Sequence, residues 1–395
     1  MRLFVVYLWR MRIGINASFL RKPGTGIGQV TWHFLENLAQ LPEAKNHEFF
    51  LYTEEEVFFP KLGQNFTVKA VLPKWRRDDQ IRKWLWEKKV LPREVVADTC
   101  DVFLSLYQSA SVMPIPHVVL VHDVIPEIFP EYRKTLRQKF FWSQVKQSLQ
   151  KARLYVAVSC HTKEDMEKRL GIEAQKITVC HPSIDPIFQE EVSLAEKARV
   201  ILKYQLPEKF LYHGGGTEIR KNTEGVLQAY RELKKIFSKN ELPKLVISGL
   251  VHSAKNTLAT PVEKLIREYG LTEEVLVLGY VAQEDMPVLY ALSEIFLYPS
   301  RYEGFGLPVL EAMTVGVPVI TSRVSSLPEV GGTAVQYAEL DNPQALALLI
   351  KKLLSDESLL AKMSEDGKAI AKHFTWKEFT EGILRQTLTV CKQKK

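Results

Sequence analysis

The chain has 395 residues, of which 46% are hydrophobic and 25% are charged, the ordinary composition of a soluble globular protein. This length exceeds what one hydrophobic core organises, so we expect two domains of about 200 residues each. The net charge of +7 indicates an acidic partner, but the chain has no zinc-finger, basic-zipper or aromatic RNA-binding signature, which argues against nucleic acid.

Two features of the sequence bear on location. The amino terminus, MRLFVVYLWR, has seven apolar residues between its arginines, too few to span a bilayer. It is either an extension ahead of a start at Met11 or a short membrane-touching anchor. No CxxC pair occurs among the cysteines, which are Cys100, Cys160, Cys180 and Cys391. We therefore expect reduced thiols and a cytoplasmic protein, with contact at the inner face of the membrane as an open alternative.

The first half of the chain predicts a parallel sheet covered by helices. Residues 12–17 form a first strand, and apolar residues from Ile27 to Leu41 recur at helical spacing after the loop 18–25. The runs HVVLVHD at 117–123 and LYVAVSC at 154–160 are further strands. Such alternation of strands and amphipathic helices is typical of a doubly wound domain.

A basic segment interrupts this pattern at residues 74–93, where lysines and arginines are interleaved with Trp75, Trp84 and Trp86. Such a mixture suits the headgroup region of an anionic membrane. A solvated helix face is the alternative interpretation.

The second half predicts another doubly wound domain. Strands are expected at FLYH (210–213), KLVIS (244–248), VLVLG (275–279), EIFLY (294–298) and PVITS (318–322), with helical segments between them. We place the first domain at 1–194 and the second at 195–374. Residues 375–395 carry apolar residues at helical spacing, and we expect this helix to cross back onto the first domain.

The strongest motif runs from Tyr298 to Glu311 and carries two carboxylates, Glu303 and Glu311, across a predicted strand-to-helix junction. Ligands of open α/β sheets bind at the carboxyl ends of strands, and a carboxylate accepts hydrogen bonds from vicinal hydroxyls. The sequence thus predicts that one carboxylate contacts a sugar and the other a ribose. Gly304 and Gly306 allow backbone amides to approach a phosphate, and Pro308 suits the first helical position. A tight turn followed by an exposed Glu311 is the alternative.

A second motif, GGGTEIRKN at 214–222, follows a predicted strand and precedes a helix. Its Arg220 and Lys221 can neutralise a diphosphate, because arginine offers two-point contact and lysine a mobile point charge. The spacing matches neither GxGxxG nor the Walker pattern, so NAD binding and ATP hydrolysis are not indicated. Solvated surface charge is the alternative interpretation of the pair.

Two weaker signals lie in the first half. The loop PGTGIG at 23–28 joins the first strand to its helix, and its amides can face the same diphosphate. His122 ends a predicted strand and is a candidate contact for the donor sugar or the acceptor. A structural histidine beside Asp123 is the alternative.

Together these residues resemble the retaining glycosyltransferases of family 4, which have the GT-B fold of two Rossmann-like domains facing across a cleft. The resemblance covers nearly the whole chain and depends most on EGFGLPVLEAM at 303–313 and GGTEIRKN at 215–222. It implies that Glu303 contacts the transferred sugar, Glu311 the ribose, and Arg220 with Lys221 the diphosphate. Near the domain junction the chain reads HPSID at 181–185 where many members read PNGVD, so the hinge geometry is not carried over.

The resemblance completes the predicted site. The predicted catalytic groups are Glu303, His122, Arg220 and Lys221. The predicted donor contacts are Gly26, Gly28, Gly215, Gly216, Arg220, Lys221, Tyr280, Val281, Glu303, Gly304, Phe305, Gly306, Leu307 and Glu311. No Asp-x-Asp pair occurs, so no metal or other cofactor is expected, and cationic side chains are expected to stabilise the departing diphosphate.

The predicted activity is transfer of a hexose, with retention, from a nucleotide-diphosphate sugar to a glycan or lipid-linked acceptor. The run HDVIPEIFPEY at 122–132 is similar to bacterial mannosyltransferases of surface polysaccharide synthesis, which implies GDP-mannose as donor. UDP- or dTDP-sugars and a sugar-nucleotide epimerase remain alternatives. A nicotinamide-dependent oxidoreductase is disfavoured, because the chain lacks its GxGxxG motif. A non-catalytic binding protein is disfavoured as well, because it would not need the complete set of Glu, Arg, Lys and His.

Overall fold

The computed structural model describes residues 10–72, 79–238, 241–249 and 258–392. Its residues form two compact units: Met1–Ser183 together with Thr375–Lys395, and Ile184–Phe374. Residues 1–9 of the amino-terminal segment, interpreted as either an extension or a short anchor, and Trp75 of the basic segment lie outside the described residues.

The first unit contains a seven-stranded parallel sheet. Its strands are β1 (Arg12–Asn16), β2 (Glu48–Thr53), β3 (Phe66–Ala70), β4 (Val102–Ser105), β5 (His117–Val121), β6 (Leu154–Ala157) and β7 (Ile177–Val179). They are arranged in the order β3-β2-β1-β4-β5-β6-β7. Its helices in this part of the chain are α1 (Gly26–Gln40), α2 (Asp79–Leu85), α3 (Leu91–Ala97), α4 (Ile125–Ile128), α5 (Leu136–Lys151) and α6 (Cys160–Leu170). The order reverses direction between β1 and β4, as in Rossmann-type sheets.

The second unit repeats this architecture with six parallel strands. They are β8 (Phe210–His213), β9 (Lys244–Ser248), β10 (Val275–Gly279), β11 (Ile295–Tyr298), β12 (Val319–Ser322) and β13 (Gln336–Ala338), in the order β10-β9-β8-β11-β12-β13. The helices are α7 (Leu194–Tyr204), α8 (Thr223–Ile236), α9 (Val262–Glu268), α10 (Met286–Leu292), α11 (Leu307–Val315), α12 (Leu327–Gly331), α13 (Pro343–Leu354) and α14 (Glu357–Ala371). The predicted strands of both halves are confirmed, and two Rossmann-like units are observed.

The division between the units differs by about ten residues from the position predicted at 194. The second unit begins at Ile184, because the segment before α7 packs within it. Phe188 is buried, and its ring lies 5.9 Å from that of Tyr290 on α10.

The last described helix, α15 (Trp376–Lys392), belongs to the first unit. The ring of Phe379 meets that of Phe34 on α1 edge-on at 6.4 Å, and Trp376 stacks on His33 at 5.1 Å. Aromatic contacts thus attach the end of the chain to α1.

The structure corrects one part of the basic-segment interpretation. Trp86 is completely buried in a cluster with Phe50, Tyr52 and Phe103, so it is a core residue and not a membrane-facing one. Trp84 is partly exposed, and its ring lies 5.6 Å from Phe140 on α5.

Replacing Gly382 with Ala is expected to lower the free energy of unfolding, although alanine favours helices by about 1 kcal/mol. A Cβ atom at Gly382 would lie 2.6 Å from the Sγ of buried Cys180. Overpacking of this kind costs about 1–3 kcal/mol. Urea unfolding would measure this loss of stability. In a protein that already carries Cys180→Ala, Gly382→Ala should cost much less, because the Sγ atom that the new Cβ would contact is absent. An unchanged unfolding midpoint in Gly382→Ala would contradict this packing of α15.

Candidate functional site

The predicted site residues of the second unit, apart from Tyr280 and Val281 after β10, follow the carboxyl ends of its two central strands. β8 and β11 are neighbours, and the strand order reverses between them. One of the two flanking loops carries Arg220 and Lys221, and the other carries Glu303. The crevice at such a reversal is where open α/β sheets bind their ligands, so the topology brings the two strongest motifs together.

The glycine loop after β8 depends on backbone conformations that side chains disfavour. Gly215 and Gly216 have φ angles of 90° and 99°. A Cβ atom at Gly215 would also lie 2.9 Å from the ring of Tyr298 at the end of β11. The loop therefore requires glycine at Gly215 both for its φ angle and for this close approach.

Arg220 and Lys221 are ion-paired with Glu303. Arg220 Nη1 donates to Glu303 Oε2 at 2.7 Å, and Lys221 Nζ donates to Oε1 at 2.8 Å. Lys221 is 5% exposed and Glu303 is 7% exposed, so this is a buried pair and not the solvated surface charge considered as an alternative.

Two hydroxyl groups complete the surroundings of Glu303. Tyr298 and Ser300 donate to its Oε1 at 2.9 and 2.7 Å, and its backbone N–H donates to Ser325 Oγ at 3.0 Å. Ser300 Oγ also lies 2.9 Å from the carbonyl oxygen of Arg220, which connects the two loops. The carboxylate is therefore held in one orientation by groups from both loops.

The ionisation of this cluster follows from burial and charge together. Burial alone would raise the pKa of Glu303, but the charges of Arg220 and Lys221 lower it to about 2. Burial and the neighbouring Arg220 lower the pKa of Lys221 to about 8, although Glu303 opposes this change. Glu303 is thus an anion at pH 7, and Lys221 is mostly protonated.

Glu311 lies on α11, where the structure corrects the expected position of Pro308 and excludes the alternative of an exposed Glu311. Pro308 occupies the second helical position rather than the first, because the helix begins at Leu307 after Gly306, whose φ is 114°. Glu311 is only 7% exposed, and it accepts a hydrogen bond from Tyr290 at 3.0 Å. Burial raises the pKa of Glu311 to about 7. Replacing Glu311 with Ala is therefore expected to change the free energy of unfolding, whereas the same replacement of an exposed helix residue would leave it nearly unchanged.

The residues between the two carboxylates contribute mainly backbone. Phe305 is buried, and its ring lies 5.6 Å from that of Phe374. Ser326 Oγ donates to the carbonyl oxygens of Glu303 and Phe305 at 3.0 and 2.6 Å, which fixes the loop around Gly304. Among the predicted base contacts, Tyr280 is 65% exposed and Val281 is buried.

The remaining predicted contacts belong to the first unit and are described within it. The backbone N–H of Gly28 donates to Thr25 Oγ1 at 3.1 Å, which caps α1, so this amide is already paired. A Cβ atom at Gly28 would lie 1.9 Å from the carbonyl oxygen of Lys22; glycine is required there for space. Gly26, the first residue of α1, is exposed.

His122 is held by the backbone of the first unit. Its Nε2 lies 2.8 Å from the carbonyl oxygen of Leu106. A carbonyl only accepts, so Nε2 carries the proton and Nδ1 is the unprotonated nitrogen of the neutral ring. Burial lowers the pKa of His122 to about 4, which makes it a neutral hydrogen-bonding group at pH 7.

Sequence reasoning missed the hydroxyl groups that orient the carboxylates. Tyr298 and Ser300 precede Glu303 by five and three positions in the same motif, so that motif contained a usable signal. Tyr290 lies on a different helix, and its contact with Glu311 depends on how α10 packs against α11. No local pattern indicates such a contact.

Comparisons with known proteins agree with this geometry. A family model described as Glycosyl transferases group 1 matches residues 195–370, and one described as Glycosyltransferase Family 4 matches residues 24–188. The O-antigen chain mannosyltransferase B of Escherichia coli is 36% identical over 264 residues, which cover 67% of this chain and 68% of that protein.

Solved structures show the same fold. WaaG, a glycosyltransferase involved in lipopolysaccharide biosynthesis, superimposes with a TM-score of 0.71 at 18% identity, over 94% of this chain and 98% of that one. Anabaena Alr3699/HepE in complex with UDP gives a TM-score of 0.69 at 16% identity, over 98% and 100%. Among the residues that the structure describes, no helix is both long and apolar enough to cross a membrane.

Proposed function

The chain belongs to the glycosyltransferases of group 1 and family 4, with the GT-B fold, and on this premise we propose that it is a retaining mannosyltransferase using GDP-mannose. The acceptor is a glycan or a lipid-linked oligosaccharide. The similarity to an O-antigen chain mannosyltransferase supports the choice of sugar.

The observation that supports this proposal best is the cluster of Arg220, Lys221 and Glu303 at the reversal point between β8 and β11. The buried Lys221 and the part-buried Arg220 at a ligand-binding edge suit a diphosphate, which is a compact dianion. The carboxylate fixed beside them suits a sugar hydroxyl attached to that diphosphate. One cluster thereby offers groups for both halves of the donor.

In the proposed reaction, the bond between the sugar and the diphosphate breaks, an acceptor oxygen bonds to the sugar from the same face, and the proton of the acceptor hydroxyl passes to the departing diphosphate. Negative charge grows on the departing diphosphate, and Arg220 with Lys221 stabilises it without a metal ion. The amino end of α11 adds a favourable dipole. Glu303 orients the sugar, and Glu311 accepts hydrogen bonds from the ribose hydroxyls.

A thermal-shift screen against GDP-, UDP- and dTDP-sugars tests the donor, because a true donor stabilises the protein by mass action. We expect the largest shift with GDP-mannose. The anomeric configuration of the product, read by NMR, tests retention. Turnover of the sugar nucleotide without any acceptor would instead favour an epimerase.

The pH dependence of kcat/KM follows from the free enzyme's pKa values. Glu311 accepts ribose hydrogen bonds best as a carboxylate, so activity should rise with pH through about 7. Lys221 loses its charge through about 8, so activity should fall again above that value. GDP-mannose has no phosphate group that titrates in this range. Glu311→Gln should remove the rise in kcat/KM on the acid side of the profile and keep the fall on the alkaline side. An unchanged rise on the acid side would exclude Glu311 as its origin.

We also propose peripheral contact of the first unit with an anionic membrane at the cytoplasmic face. Leu136 and Phe140 on α5 are 85% and 47% exposed, and residues 132–153 carry basic but no acidic side chains. Apolar side chains among cations suit an anionic interface.

Sedimentation with vesicles tests this contact. Binding should require anionic lipid and weaken with salt, and Phe140→Gln should reduce it. Leu348→Gln, a change at a 61% exposed residue of the second unit, should not. Equal binding to neutral and anionic vesicles would contradict the proposed surface.

A further inference from the structure

The first unit contains a small cavity beside the carboxyl end of β1. Its volume is about 110 Å³, and it is lined by Phe19, Arg21, Lys22, Asp79, Gln80 and Lys83. A single water needs about 10–15 Å³, so a larger polar group has room here. The cavity is therefore large enough to hold a ligand group.

The three cations around this cavity have unused hydrogen-bond donors. Arg21 forms ion pairs with Glu54 at 3.6 Å and with Glu55 at 3.9 Å, and Lys83 forms one with Glu87 at 3.9 Å; these separations are too long for hydrogen bonds. Within the described part of the chain, the Lys22 side chain has no ion pair. The guanidinium and the two ammonium groups can therefore all donate to a bound anion.

The nearby carboxylates Glu87 and Asp79 are engaged mainly with other groups, whereas one oxygen of Glu54 is buried without a hydrogen-bond partner among the residues that the structure describes. Glu87 accepts from Tyr107 Oη at 2.6 Å and from the Ala110 N–H at 2.9 Å. Glu54 accepts from Arg82 at 3.2 Å. Asp79, the acidic residue of the lining, is 66% exposed and is itself paired with Arg82. Arg21 and Lys83 therefore have ion-pair partners among these acids, but at separations that leave their N–H groups able to donate to a closer anion.

The three positive charges thus lie close together around a partly buried cavity. The Lys83 ammonium lies over the rings of Phe19 and Tyr107, at 4.2 and 4.3 Å from their centroids. Burial lowers the pKa of Lys83, and the charges of Arg21 and Lys22 lower it further, against the opposing effect of the acids. An anion bound among the three cations would relieve this repulsion.

The position agrees with a ligand site. Phe19 and Arg21 follow β1, and Tyr107 follows β4; these are the strands between which the order of this sheet reverses. Ligands of doubly wound sheets bind at that reversal. We propose that the cavity binds a phosphate dianion, as free phosphate or as a phosphate ester of a larger molecule, through Arg21, Lys22 and Lys83. This inference does not depend on the proposed mannosyl transfer.

Calorimetric titration of the full chain with inorganic phosphate, with and without saturating GDP, tests the proposal. Lys83→Met keeps the apolar stem and removes the charge, and it should weaken phosphate binding about tenfold or more, as expected for a charge-assisted hydrogen bond. Lys22→Gln changes an exposed residue and should weaken binding severalfold while the fold is retained. Lys89→Gln, at an exposed lysine outside the cavity, is the matched control and should bind as wild type.

Octyl phosphate distinguishes the sources of the anion. If octyl phosphate binds at least as tightly as inorganic phosphate, the natural ligand is a phosphate ester. If only inorganic phosphate binds, the natural ligand is the free ion. The proposal is overturned if no saturable phosphate binding occurs, if Lys22→Gln and Lys83→Met bind phosphate as wild type, or if GDP displaces the phosphate. Loss of mannosyl transfer with intact phosphate binding would count against the proposed function only.

Discussion

Replacing Glu303 with Gln should lower kcat about a hundredfold or more, the usual scale for losing one preorganised electrostatic contact. The proposed partner of Glu303 is the sugar whose bond is broken, so turnover is expected to fall more than donor affinity. Gln is preferred to Ala, because Ala would remove the carboxylate that pairs with the part-buried Arg220 and the buried Lys221, and breaking a buried pair costs about 3–5 kcal/mol of stability.

The measurement is steady-state transfer at saturating donor, with circular dichroism to confirm that the variant folds. Glu263→Gln removes an equal charge from an exposed position on α9 and should leave kcat unchanged. Near-native turnover of Glu303→Gln would refute a role at the reacting sugar.

The pKa of Glu303 also gives a stability prediction: its folded value of about 2 lies below the ordinary 4.5, so its stabilising contribution is full above pH 4.5 and is lost as pH falls through 2.

The sequence predicted the strands that are continuous β-branched runs, such as HVVLV and KLVIS. It missed β2, whose sequence EFFLYT is mostly aromatic, as well as β3, and the short strands β4, β7 and β13. Short apolar runs do not distinguish strand from helix by periodicity. Because these strands were not predicted, the order of the strands in the two sheets could not be predicted from the sequence either.

The candidate site was predictable in its residues but not in its contacts. Residue type and loop position indicated Arg220, Lys221 and Glu303. Their mutual ion pairs depend on β8 lying next to β11, which is a property of topology. The burial of Glu311 depends likewise on α10 supplying Tyr290. Local patterns identify groups that follow strands, whereas pKa values depend on neighbours distant in sequence.

Transfer is expected to survive excess chelator, and the double replacement of Arg220 and Lys221 by Ala should nearly abolish it. The two cations already lie within hydrogen-bond distance of a carboxylate at the ligand-binding edge, so they can stabilise the anionic leaving group in place of a divalent ion. Losing both should cost several kcal/mol of transition-state stabilisation, about twice the effect of one lost oxyanion contact.

The single variants Arg220→Gln and Lys221→Gln separate the two contributions, and calorimetry with GDP shows whether binding or turnover is affected. Lys264→Ala removes a charge from a side chain that is 67% exposed on the same unit and should behave as wild type. Because the proposed stabilisation comes from fixed side chains, adding magnesium or manganese should not rescue the double variant. If chelator abolished transfer in the unaltered protein and either ion restored it, the leaving diphosphate would depend on a metal, and the role proposed for Arg220 and Lys221 would be wrong.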